Sequence, residues 1–147
     1  MIKNLLFVFL IFTSLSTIAQ DVESKVVWSY SYDQANDVLI FEAKISEGWH
    51  LYSQFVDPEV GPVPTFFTFN RLKGGRLIGK TTEPAPIKIY DPNFDGEVIY
   101  FENEVIFKQK ISTRKKTEIS GAITYMVCNE TMCLPPVDER FTIKINK

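Results

Sequence analysis

Hydrophobic and polar residues alternate with a period of two along most of this chain. Val26, Trp28, Tyr30 and Tyr32 fall on one parity, and Leu39, Phe41, Ala43 and Ile45 share a parity in the segment that follows. Residues two apart on a strand leave the same face, so each segment reads as a half-buried strand. Asp33-Gln34-Ala35-Asn36-Asp37 supplies turn chemistry between them and predicts a hairpin. Further strands are predicted at 49–54 and 64–70, the latter with Phe67 and Phe69 opposite in parity to Phe66. A Pro-rich loop at 57–62 separates the two, and Lys73-Gly74-Gly75 reads as a turn. Short strands fit 76–80 and 87–90.

The second half repeats this grammar. Asp91-Pro92-Asn93-Phe94-Asp95-Gly96 is a tight loop carrying a lone aromatic. Strands are predicted at 97–101 and 104–111, the latter alternating Val105, Phe107, Gln109 and Ile111. Arg114-Lys115-Lys116 reads as a solvated turn. Ile119, Gly121, Ile123 and Tyr125 form one face of the next strand, and Phe141, Ile143 and Ile145 one face of the last. No segment after the N-terminus sustains a 3.6-residue period. Short strands separated by turn signals predict an all-β fold, an immunoglobulin-like antiparallel β-sandwich.

The first residues depart from this pattern. Met1-Ile2-Lys3-Asn4 is a short basic start, followed by an apolar run from 5 to 11. Thr17 and Ala19 then place small residues where a signal peptidase needs them. The run is shorter than the roughly 20 residues that span a bilayer. Residues 1–19 are therefore expected to be a cleaved signal peptide, and 20–147 an exported, soluble single domain. Sixteen basic against eighteen acidic residues give a net charge of −2, which argues against nucleic-acid binding through phosphate neutralisation. Two cysteines and one histidine complete neither a four-thiolate zinc site nor a histidine-rich metal centre.

One segment carries reactive chemistry: Tyr125-Met126-Val127-Cys128-Asn129-Glu130-Thr131-Met132-Cys133-Leu134-Pro135-Pro136. Four residues separate the cysteines and suit a hairpin loop, which would set Cys128 and Cys133 opposite each other. Directly opposed antiparallel residues lie within the reach of a disulfide, and an exported protein meets an oxidising compartment. Closing so short a loop contributes only about 2 kcal/mol in the chain-entropy model. A domain of this length can hold a core without it. Strand parity counted from Tyr125 puts Cys128 on the face of Met126, near the surface, where exchange could reach it. On these residues alone, a structural and a redox-active bond both stand open.

The same segment, with its cysteine pair followed by Pro-Pro, resembles the amino-terminal domain of the thiol:disulfide interchange protein DsbD. Gly48-Trp49-His50-Leu51-Tyr52-Ser53 is similar to that family's Gly-aromatic-aromatic-aliphatic-Tyr strand, and residues 90–96 resemble its cap loop. The resemblance implies that Cys133 attacks partner disulfides and that Cys128 resolves the mixed intermediate. It implies that Phe94 shields the sulfurs and that His50 and Tyr52 flank them. It further implies a periplasmic relay carrying reducing equivalents from a thioredoxin-like donor to oxidised proteins by thiol–disulfide exchange. No cofactor or resident metal is expected, and a monomer is. The chain ends at Lys147, so a separate membrane electron carrier is the expected reductant. Two positions depart from the family pattern: the cysteines are one residue closer than in its best-known members, and Pro92 replaces an acidic residue. The alternative is a copper(I)- or partner-binding sandwich, with His50, Met126, Met132 and the thiols as soft ligands or the cysteines as a structural bond.

Overall fold

The computed structural model describes residues 25–92 and 94–146, so the expected signal peptide lies outside the described residues. These residues form eleven strands and no helix. They are β1 (Val26–Asp33), β2 (Val38–Ile45), β3 (His50–Tyr52), β4 (Phe66–Phe69), β5 (Gly75–Thr82) and β6 (Ile87–Asp91). The second half adds β7 (Gly96–Phe101), β8 (Glu104–Thr113), β9 (Thr117–Tyr125), β10 (Val127–Cys128) and β11 (Val137–Ile145). Every pairing is antiparallel. Three sheets result, ordered β1-β2-β8-β5, β11-β9-β4 and β10-β3-β7-β6.

The predicted first hairpin forms between β1 and β2, with Trp28 opposite Ala43 and Tyr30 opposite Phe41. Its turn is held by Asp33, whose carboxylate accepts the backbone N–H groups of Ala35 and Asn36 at 3.0 and 3.2 Å. On β2 the even alternation puts Leu39, Phe41, Ala43 and Ile45 inward, and on β8 it does the same for Val105, Phe107, Gln109 and Ile111. The apolar side chains of these sets meet Ile119, Ile123, Phe141 and Ile143 of the β11-β9-β4 sheet in one core. Phe41 is the rivet between the two layers: its ring centroid lies 5.0 Å from Phe67 and 4.9 Å from Phe141. Buried Gln109 would be costly without partners. Its amide donates to the carbonyls of Ile78 and Lys110 and its oxygen accepts from Thr81, spanning the bulge in β5.

Gly121 is required by close approach. A Cβ there would sit 2.0 Å from the Thr68 carbonyl oxygen of β4 and 2.7 Å from the Phe141 ring of β11. Gly121→Ala should therefore lose about 1–3 kcal/mol, the usual cost of overpacking. Urea denaturation measures it; an unchanged midpoint would show that β4 can move aside without cost.

The third sheet positions the cysteines. Leu51, Phe101 and Val127 leave one face and join the main core. Tyr52, Val98, Tyr100 and Cys128 leave the other and form a second, smaller cluster with Val56. The strand expected over 49–54 closes earlier, at Tyr52, because Glu83 captures the chain that follows. Its carboxylate accepts the Ser53 hydroxyl and, at 2.9 Å, the Gln54 backbone N–H.

Candidate functional site

β9 ends at Tyr125, the chain breaks at Met126, and β10 joins a different sheet. There Val127 pairs with Leu51 and Cys128 with His50. The loop that follows is pinned by Asn129, whose side-chain oxygen accepts the backbone N–H groups of Thr131 and Met132, both at 2.9 Å. Two ladder bonds close the hairpin, Asn129 N–H to Met132 C=O and Leu134 N–H to Val127 C=O, each 2.9 Å. They bracket Cys128 and Cys133, which make an isolated antiparallel bridge with no main-chain bond of their own. Such non-hydrogen-bonded pairs are the closer of the two antiparallel kinds. The Cα atoms here are 4.0 Å apart, and the two sulfurs form a disulfide.

The expectation that Cys128 lies near the surface is overturned: it is 1% exposed, whereas Cys133 is exposed. Parity counted from Tyr125 holds across the break at Met126, since Tyr125 and Val127 both belong to the main core while Cys128 shares the other face with Met126; what fails is the step from that face to the surface. Val127, not Cys128, then continues inward to the main core. The outward face that carries Cys128 is roofed in turn. Val60, Phe94 and Met126 pack onto the cluster of Tyr52, Val98, Tyr100 and Cys128. Two glycines let this roof close. A Cβ on Gly61, which has φ +137°, would lie 2.6 Å from the Phe94 ring, and one on Gly96 would lie 2.8 Å from Val60. The Phe94 N–H donates to the Asp91 carbonyl at 3.2 Å, holding the turn that presents the ring.

All five residues singled out from the sequence meet at one place. His50, Tyr52, Phe94, Cys128 and Cys133, with Asp91, line a pocket of about 220 Å³. Larger grooves of about 410 and 420 Å³ lie elsewhere, lined by neither cysteine nor histidine. Volume and chemistry point to different places, and the cysteines decide. Tyr52 is fully buried, and its hydroxyl lies 3.1 Å from His50 Nε2. Burial pushes the Tyr52 phenol far above its ordinary range, so it keeps its proton. Burial also holds the His50 imidazolium below its ordinary value, against the opposing pull of Glu102 and Asp91.

Sequence reasoning missed three contributors. Tyr100 stacks on His50 with ring centroids 4.4 Å apart. Its alternation with Val98 in β7 was legible, but the pairing of β7 with β3 was not. Val56 and Gly61, from the loop after β3, help make the roof without any local signal. Of the soft-ligand set, Met126 belongs to the buried cluster while Met132 is 52% exposed on the hairpin loop. The sulfurs of Cys128 and Cys133 are bonded to each other, and in that state neither is a thiolate ligand. No group of three His, Cys, Asp or Glu suited to a metal ion occurs among the described residues.

Comparison with known proteins follows the same line. The family model described as thiol:disulfide interchange protein DsbD, N-terminal, matches residues 19–145. Among solved structures, the reduced DsbD N-terminal domain of Neisseria meningitidis is similar at 19% identity and a TM-score of 0.62, covering 89% of this chain and 96% of that one. A complex of the DsbD and PilB N-terminal domains from the same organism matches at 17% identity and 0.61, covering 86% and 88%. The N-terminal periplasmic domain of ScsB from Proteus mirabilis matches at 13% identity and 0.54, covering 89% of this chain and 49% of that one. These identities carry the fold alone. No curated protein matches. The family model covers nearly all of the sandwich and the whole cysteine hairpin, and this chain belongs to the family of the N-terminal domain of thiol:disulfide interchange protein DsbD.

Proposed function

We propose that residues 20–147, exported to the periplasm by a cleaved leader at 1–19, relay reducing equivalents between thioredoxin-like proteins through Cys128 and Cys133. The observation that carries this reading is the asymmetry across one disulfide: Cys133 is exposed and Cys128 is 1% exposed. An outward sulfur can be attacked by a partner, while an inward one can wait to resolve the intermediate. In the outgoing half-reaction the Cys133 thiolate attacks a partner disulfide, and one partner sulfur leaves as thiolate. Cys128 thiolate then attacks Cys133 Sγ, releases the second partner thiolate and re-forms the bond. Two electrons pass to the partner, and a reduced donor restores them by the reverse sequence. In this reading Phe94 limits which thiols reach the pair and His50 and Tyr52 flank it, supported by the pocket that all three line together with both cysteines. The complex of a related DsbD N-terminal domain with a PilB domain supports a protein partner.

Trapping tests the assignment of roles. Cys128→Ala, reduced and mixed with oxidised thioredoxin, should accumulate a mixed disulfide through Cys133, read by mass spectrometry. Cys133→Ala should trap little. If only Cys133→Ala traps, the two roles are reversed. If neither variant traps and the wild-type bond resists glutathione, the disulfide is structural.

A further inference from the structure

His50 and Cys128 are directly opposed residues of the β3–β10 pair. Their side chains therefore leave one face, with Cβ atoms roughly 4.5–5.5 Å apart. Both line the pocket that also holds Cys133. The imidazole is held in place by its stacking on Tyr100 and by the Tyr52 hydroxyl at Nε2. We propose that His50 gives a proton to Cys128 when the disulfide opens and takes it back when the disulfide re-forms. The inference rests on the relay reading and assigns its acid–base residue.

The need for such a group follows from burial. When an incoming thiolate attacks Cys133 Sγ, the electron pair of the broken S–S bond goes to Cys128 Sγ. That sulfur is 1% exposed, so its thiolate is poorly solvated and a poor leaving group. An imidazolium proton converts it to a thiol and leaves a neutral imidazole, which balances the step. In the reverse direction the neutral imidazole removes the thiol proton, and the thiolate attacks the mixed disulfide.

Other titratable groups share the surroundings of the ring. Facing His50 are Tyr52 on its own strand, Tyr100 on β7, Glu102 just beyond it, Asp91 at the end of β6 and Glu130 in the hairpin loop. Neither cavity beside the ring is lined by lysine or arginine. Tyr52 holds its proton too tightly to give it up, since burial raises its ionisation far above the ordinary value. Glu102 and Asp91 favour the imidazolium and offset part of its desolvation. His50 can thus be charged in acid and neutral above it.

The test is the pH profile of disulfide reduction by dithiothreitol in the oxidised protein, with each rate divided by the reagent's thiolate fraction. In the wild type the corrected rate should rise as pH falls through the His50 titration, which burial places below the ordinary value of about 6.5. In His50→Gln the profile should be flat and the rate in acid lower by about tenfold or more, as loss of a positioned proton donor predicts. His50→Tyr keeps an aromatic ring beside Tyr100 but cannot donate in this range, and it should give the same flat profile. Circular dichroism identifies which variants are folded. A folded variant that keeps the wild-type profile overturns the role of His50 and leaves the relay standing. A wild-type disulfide that dithiothreitol does not open overturns both.

Discussion

In the reduced protein, iodoacetamide should modify Cys133 on the order of 100 times faster than Cys128, because reaching Cys128 requires a local opening of about 3 kcal/mol. The opening must lift the roof of Val56, Val60 and Phe94 from Cys128. The cluster beneath that roof contains Tyr52, Val98 and Tyr100 besides Cys128, so the roof is expected to stay when the S–S bond is reduced. Burial acts a second time by disfavouring the Cys128 thiolate, which is the form that alkylates. Cys133 stands on the open side of the hairpin and pays neither cost. Mass spectrometry of adducts quenched over a time course gives both rates in one sample. Equal rates would mean that reduction dissolves the roof, and the asymmetry would then be no basis for separate roles.

Phe41→Ala should lower the stability of the domain by about 3–5 kcal/mol, the range for truncating a fully buried phenylalanine. Phe41 is 0% exposed, and its ring meets Tyr30 and Phe67, Phe69 and Phe141 from three other strands. Removing it opens a void between the layers that strand backbones cannot close without breaking register. Domains of this kind have about 5–15 kcal/mol in total, so the loss is a large share. Urea unfolding should show a lower midpoint at an unchanged slope. Ile106→Ala, on the exposed face of β8, should move the same midpoint by no more than about 0.5 kcal/mol. Comparable losses for both would show that the alternation along β8 does not separate core from surface.

The strands were legible where alternation is uninterrupted. β2 and β8 bury the residues on the expected parity, and Phe67 and Phe69 turn inward while Phe66 stays exposed. The turn at Asp33 and the cysteine hairpin at Asn129 were legible as well, since both rest on side-chain to backbone bonds between close neighbours. Parity carried across Met126 too, where one strand ends and another begins in a different sheet, but there the face opposite the main core is covered and not exposed. Alternation assigns a residue to a face and says nothing of what covers that face. Counting along the chain cannot see such a cover. Glu83 shortening the strand at Tyr52 is a second case, because the carboxylate comes from a distant loop.

The sequence by itself determined the all-β class, the inward sets of the main strands and a hairpin that brings two cysteines together. It did so because alternation and turn chemistry are local properties of the chain. Which sulfur is hidden was decided only by tertiary structure, since the roof over Cys128 is assembled from β3, β7, the loop after β3 and the cap loop. The same assembly sets the lone histidine opposite Cys128 and stacks it on Tyr100. Burial and cross-strand register arise between segments far apart in the chain, and those two properties turn a paired cysteine motif into an asymmetric site.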